Sequence, residues 1–222
     1  MHKNNLKLSS SKTVVCPKST TILGWIWCNG SLSISSHKIC PLLSSEPPKT
    51  CTQMRSFLGA FKDIARGIPR CSSLLSPLEG CIKGLEKAGK ISWTPDLLEC
   101  FNAAKKALSS PNSLALPRRD DKLVITVDAS PLNQGLAGTL FVVRHGKRVP
   151  AEFFSFKLKS HQVGWLPCEM EALAISASVS HFAPYIKESA HTTQVLSDSR
   201  PCVQAWGKLQ KGSLLQQGFP PS

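Results

Sequence analysis

Three acidic residues stand where chemistry can be built from them. Asp128 closes the strand-like run LVITVDAS, Glu171 lies inside the apolar helix-like run EMEALAI, and Asp198 closes TTQVLSDS. Carboxylates are costly to bury in apolar segments, and several that converge are usually reconciled by a hard divalent cation that offsets their repulsion. A pair of such ions could activate water against a phosphate, so the pattern outlines a two-metal nuclease site. Each acid also has an ordinary role: Asp128 as a strand-ending turn former, Glu171 as a first-turn acid favoured by the helix dipole, Asp198 as the cap of a following helix.

The elements that must position these acids can be read from hydrophobic periodicity. Leu123, Ile125 and Val127 alternate onto one face, which puts Val124, Thr126 and Asp128 on the other. The runs KLVITVDAS, LAGTLFVVR and VPAEFFSFKL predict three neighbouring antiparallel strands, separated by Pro131-Leu132-Asn133-Gln134-Gly135 and by the basic turn His145-Gly146-Lys147-Arg148. Pro167 suits the first turn of a helix running to about Phe182, with Pro184 ending it. A fourth strand at TTQVLSDS and a helix at SRPCVQAWGKL follow. Glu169 reads as a first-turn acid, and His161, His181 and His191 as surface or packing residues. Arg144, Lys147 and Arg148 are candidate contacts to nucleic acid, and Trp25, Trp27 and Trp165 offer either stacking faces or core packing.

Upstream, TTILGWIWCNGSLSI predicts two short strands around Asn29-Gly30, PLLSSEPPKT a connector, and Thr52 the cap of a helix buried through Met54, Phe57, Leu58, Phe61 and Ile64. A second helix is expected from Thr94 or Pro95 to Leu108, stopped by Ser109-Ser110-Pro111.

The 222 residues carry 27 Lys and Arg against 14 Asp and Glu, a formal charge of +13 whose field attracts polyanions. Lys3, Lys7, Lys12, Lys18, Lys38, Lys49 and Arg55 stand against Glu46 alone in the first 60 residues. At 41% hydrophobic the chain can form one sizeable core or two small ones. Nine cysteines without a C-x-x-C pair argue against a disulfide framework and a zinc knuckle, and the 12, 12 and 11 residue intervals of Cys16, Cys28, Cys40 and Cys51 lack the tight pairs of structural zinc. No apolar run approaches the ~18 residues of a membrane span, and the opening has no signal-peptide core. The expectation is an intracellular protein, cytoplasmic or nuclear, with reduced thiols.

The order of strand with Asp128, two strands, helix with Glu171 and strand with Asp198 resembles the ribonuclease H domain of retroelement Pol proteins, of the gypsy-type retrotransposon or retrovirus-like kind. TVDASPLNQGLAGTLF is similar to that family's first hairpin, and Trp165-x-x-x-Glu169-x-Glu171-Ala-Leu-Ala-Ile to its acidic helix, which assigns the metal to Glu171 and not Glu169. ILGWIWCNGSLSISSHKI resembles the hairpin after the reverse-transcriptase palm, QMRSFLGAFKDIARGIP the thumb, and ISWTPDLLECFNAAKKALSSPNSLALP the connection segment.

The resemblance implies an α/β ribonuclease H-like mixed sheet with helices, preceded by a small hairpin and a helical module. It divides the chain into a basic lead at 1–20, a hairpin and linker at 21–50, a thumb and connection at 51–118, the nuclease-like domain at 119–210 and a tail at 211–222. It implies Asp128, Glu171 and Asp198 as ligands of Mg²⁺ or Mn²⁺ and cleavage of RNA within an RNA/DNA hybrid, with other Pol chains as further partners and no membrane. The Tyr-x-Asp-Asp polymerase motif is not present, and Asp120-Asp121 in its polar turn is no substitute. With 24 residues after Asp198, the expected domain is truncated before the family's fourth acid. A catalytically dead nucleic-acid binder and a structural subunit of a reverse-transcriptase complex are the alternatives.

Overall fold

The computed structural model describes residues 9, 11, 13–109, 112–130, 135–162 and 164–210. Much of the basic lead, the Ser110-Pro111 helix stop, the turn at 131–134 and the tail at 211–222 lie outside them.

The first unit is a four-stranded antiparallel sheet. Strands β1 (Ser19–Ile22), β2 (Trp25–Cys28) and β3 (Ser31–Ile34) form a meander, and β4 (Leu114–Ala115) returns to pair with β3. Two strands were expected where three occur. The Asn29-Gly30 turn forms as anticipated, with φ of 49° and 77°, but Leu23-Gly24 adopts nearly the same pair of angles, 51° and 78°. Both central residues of such a hairpin turn need positive φ, and leucine rarely supplies it, so the residue type hides the turn.

Helix α1 (Ser36–Leu43) occupies ground expected to be hairpin end and connector; its interior Pro41 suggests a break, but burial of Leu42 beside α2 holds the helix. Helix α2 (Cys51–Asp63) is capped by Thr50, not Thr52: the Thr50 hydroxyl accepts from the Gln53 N–H while the Gln53 side chain reaches back, a reciprocal cap. Helix α3 (Cys71–Gly80) was not foreseen, and α4 (Pro95–Leu108) starts as expected on a Thr94 cap. Their shared core holds Met54, Phe57, Phe61, Leu75, Leu78 and Phe101, with the Phe57 and Phe101 rings 4.9 Å apart.

The second sheet has the order β7-β6-β5-β8. Strands β5 (Lys122–Ser130), β6 (Gly135–Arg144) and β7 (Lys147–Lys157) are antiparallel as predicted, and β8 (Gln194–Leu196) lies parallel to β5, making the sheet mixed. The crossover consists of α5 (Pro167–His181) and α6 (Ala183–Glu188), and α7 (Arg200–Gln210) follows β8. Helix α5 ends at His181 with Phe182 as its cap, as expected, and Pro184 belongs to the next helix. It occupies the first turn of α6, where a missing N–H costs nothing.

Helix α5 approaches β6 closely enough that a Cβ on Gly138 would stand 2.3 Å from the Ser178 hydroxyl and 2.9 Å from its Cβ. Gly138→Ala is therefore expected to lower stability by about 1–3 kcal/mol through overpacking, read as a fall in thermal midpoint. An unchanged midpoint would mean that α5 shifts freely on the sheet.

Candidate metal centre

Strand β5 is central, buried along Leu123, Val124 and Ile125, and delivers Asp128 near its carboxyl end. Val127 pairs with Gly138, which meets α5, so the Leu123, Ile125 and Val127 face packs on that helix and Asp128 falls on the opposite face. Strand β8 runs in register with β5, Leu196 beside Thr126. Carried two residues on, that register brings Asp198 level with Asp128.

Glu171 comes from the first turns of α5, which an additional contact fixes: the Glu169 carboxylate accepts from the Leu166 N–H at 2.8 Å. The Glu171 side chain is buried yet bonded at both oxygens, accepting from the Ala129 N–H at 3.2 Å and the Ser197 hydroxyl at 3.3 Å. Ser197 in turn accepts from the Ser199 N–H at 3.1 Å. Burial, followed by the negative charge of Asp198 and more weakly of Asp128, raises the Glu171 carboxyl above its usual range, while the two hydrogen bonds work against the rise. Glu171 therefore feels the charge of both other predicted acids, Asp198 more than Asp128.

The donor chemistry fits a hard divalent cation: a buried carboxylate whose proton affinity is raised by burial and then by the charge of two further carboxylates. The arrangement stops short of a closed ligand set, and no group of three His, Cys, Asp or Glu among the described residues could hold an ion as it stands. Asp128 is turned to Arg70, 2.7 Å away, and Glu171 to Ala129 and Ser197. Arg70 and Ser197 are the polar groups that sequence reasoning passed over. Ser197 could have been suspected from its place beside Asp198, but Arg70 lies 58 residues before its partner.

The basic turn is elsewhere. Arg144 to Lys147 closes β6 and β7 at the end of the sheet where β5 begins, six residues or about 20 Å along the strand from Asp128. Lys147 and Arg148 are exposed there, whereas Arg144 is committed inward: Nε and Nη2 bond the two Asp121 oxygens at 3.0 and 2.6 Å, and Nη2 also donates to the Leu116 carbonyl. Asp121, read above as part of a polar turn, is buried by this pairing. Trp25 packs on the helical core with Arg66 over its ring, and Trp27 and Trp165 are partly exposed. His181 stacks on Phe154 at 4.2 Å, a packing role as expected.

Glu171→Gln is expected to raise the thermal midpoint of the protein in EDTA at neutral pH, because it removes a buried charge that its neighbours repel. Mn²⁺ should stabilise the parent chain and not the variant. A midpoint lowered by the substitution in EDTA would show that the hydrogen bonds to Glu171, not its charge, dominate at this position.

Comparisons with known proteins bear on the same region. Residues 93–195 match the family described as an RNase H-like domain found in reverse transcriptase, a span that includes Asp128 and Glu171 and ends three residues before Asp198. The Tf2-3 and Tf2-4 transposon polyproteins of Schizosaccharomyces pombe are each 25% identical to this chain over 198 residues, covering 88% of it and 14% of the polyprotein. The foamy viral protease-reverse transcriptase in complex with dsDNA superposes with a TM-score of 0.71 at 20% identity, over 95% of this chain and 42% of that one. The same protein in complex with an RNA/DNA hybrid gives 0.71, again at 20% identity, over 94% and 27%. The chain thus spans a small part of the curated relatives it matches. Among the described residues no helix is long and apolar enough to cross a membrane.

Proposed function

We propose, for a chain that carries the ribonuclease H-like domain of a retroelement Pol protein, a divalent-metal-dependent endonuclease that cuts the RNA strand of an RNA/DNA hybrid. The observation that carries this reading is the meeting of three segments on one carboxylate: Glu171 accepts from the Ala129 N–H, next to Asp128, and from the Ser197 hydroxyl, next to Asp198.

Asp128, Glu171 and Asp198 are the residues that would hold Mg²⁺ or Mn²⁺. When bound, the ions supply positive charge to the phosphate and activate the attacking water. The protein's own part is placement. Strand β5 holds Asp128 on a rigid backbone, and the Ala129 N–H and Ser197 hydroxyl orient Glu171. Ser197 ties the Asp198 segment to the same carboxylate, so strand β5 and helix α5 carry two of the donors and the bend between β8 and α7 carries the third. The net charge of +13 concentrates a polyanion near the sheet, with Lys147 and Arg148 exposed at its far end. Recognition through shape, phosphates and 2′-hydroxyls would make binding steeply dependent on salt. The foamy viral neighbours, solved with dsDNA and with an RNA/DNA hybrid, support nucleic acid as the partner class.

The test is strand and product chemistry. Purified chain with Mn²⁺ is given an RNA/DNA hybrid, the matching RNA duplex and the matching DNA duplex, and the product ends are identified. The reading requires cuts in the RNA strand of the hybrid alone, leaving 3′-hydroxyl and 5′-phosphate ends. Cyclic phosphate ends, or equal cutting of the RNA duplex, would refute it.

A further inference from the structure

The helical module does not merely precede the nuclease-like sheet; it lies on the face that carries Asp128. Register places Asp128, Ala137 and Ser155 in one row across β5, β6 and β7. Ser72, in the first turn of α3, fastens to that row: its N–H and its hydroxyl both donate to the Ser155 hydroxyl, at 2.9 and 2.8 Å. One turn further on, Lys157 donates to the Ser76 hydroxyl at 2.6 Å. On the other side, Arg66 reaches Glu152 at 3.0 Å and the Tyr185 hydroxyl at 2.9 Å.

Between these fastenings stands Arg70, with φ of 51° and ψ of 35°, a left-handed conformation that non-glycine residues seldom take. That conformation, directly after Pro69, turns its guanidinium onto Asp128, with Nη2 2.7 Å from Oδ2. The side chain is 68% exposed, so no packing holds it there; the carboxylate does.

We infer that Arg70 is the internal counter-cation of the carboxylate cluster, a gating residue that a divalent ion must displace from Asp128 to complete the site. The inference rests on the metal-site reading above and adds a residue of the helical module to it. A guanidinium on one Asp128 oxygen competes directly with an inner-sphere ion for the same lone pairs, and the like sign of the two cations opposes joint occupancy. The contact is solvent-exposed, so displacement carries a modest penalty: removal of Arg70 should tighten cation binding about two- to five-fold, the range set by exposed ion pairs.

The experiment titrates Mn²⁺ into the full chain without nucleic acid, following free Mn²⁺ by electron paramagnetic resonance, for the parent and for Arg70→Ala, Arg148→Ala and Asp128→Asn. The inference expects tighter binding in Arg70→Ala, parent-like binding in Arg148→Ala, which deletes an equal charge at the far end of the sheet, and weaker binding in Asp128→Asn. If Asp128→Asn weakens binding but Arg70→Ala leaves it unchanged or weaker, or if Arg148→Ala tightens it as much, the gating role is overturned and the metal site stands. If Asp128→Asn binds Mn²⁺ like the parent, the metal-site reading fails and the gate falls with it.

Discussion

Purified Asp128→Asn protein is expected to lose at least about 10³-fold in Mn²⁺-dependent cleavage of an RNA/DNA hybrid, while binding that hybrid as tightly as the parent or more so. A metal site contributes several kcal/mol of transition-state charge stabilisation, and each 1.36 kcal/mol is tenfold in rate. Asn keeps the shape and one carbonyl donor but gives up the charge that holds the ion. Two further consequences follow from the position of Asp128 on β5, half-exposed at a strand end: the substitution leaves the core untouched, and it removes one negative charge from the face that would meet phosphate. It also frees Arg70. Lost cleavage with retained affinity and a normal thermal midpoint separates a ligand role from a folding role, and full activity in the variant would exclude Asp128 from the site.

The second large effect concerns stability and lies at the opposite end of the same strand. Asp121 is 10% exposed at its side chain and pairs with Arg144, 24% exposed, which lies at the end of β6. Its carboxylate also accepts from the Arg118 N–H at 2.8 Å, and its carbonyl from the Ser189 hydroxyl at 3.3 Å, so one residue ties the start of β5, the end of β6 and the approach to β8. Asp121→Ala leaves the Arg144 guanidinium half-buried and short of its partner, which costs about 3 kcal/mol. For a chain of this size that is a fall of roughly 6–12 °C in thermal midpoint. Arg144→Leu in the Asp121→Ala background should recover part of the loss, because the penalty belongs to the stranded charge. A double variant no better than the single one would contradict this account.

The same pair sets a pH dependence. Hydrogen bonding to Arg144, ahead of burial and the other bonds, holds the Asp121 carboxyl below its usual range. A depressed folded pKa means that the stabilisation is present above the ordinary value of 3.8 and is lost as pH falls through the lower, folded value. Acid unfolding of the parent should therefore steepen below that ordinary value, and Asp121→Ala should flatten this part of the curve.

The nuclease-like half was the more legible one because its information is local and periodic. Alternation along β5 placed Asp128 on a defined face and Pro167 marked the start of α5, while in the helical module Thr94 marked the start of α4. The misses have equally particular causes. Leu23-Gly24 turns with angles that leucine rarely adopts, Pro41 sits inside a helix that burial maintains, and Thr50 with Gln53 outcompeted Thr52 as a cap. The three acids stood out in the sequence as candidates, whereas the pairings of Arg70 with Asp128, Ser197 with Glu171 and Arg144 with Asp121 did not, because each joins separate elements of the chain.

The central claim is that one cluster of carboxylates makes this chain a metal-dependent nuclease for the RNA of a hybrid. It is tested most directly with a hybrid labelled on its RNA strand, incubated with the purified parent chain first in EDTA and then with Mn²⁺ restored, and with Asp128→Asn prepared in parallel. The account predicts an intact RNA strand in EDTA, cutting when Mn²⁺ returns, and none from the variant. Cutting that persists in EDTA or in Asp128→Asn, or a folded parent chain that binds the hybrid and leaves its RNA whole in Mn²⁺, would contradict it.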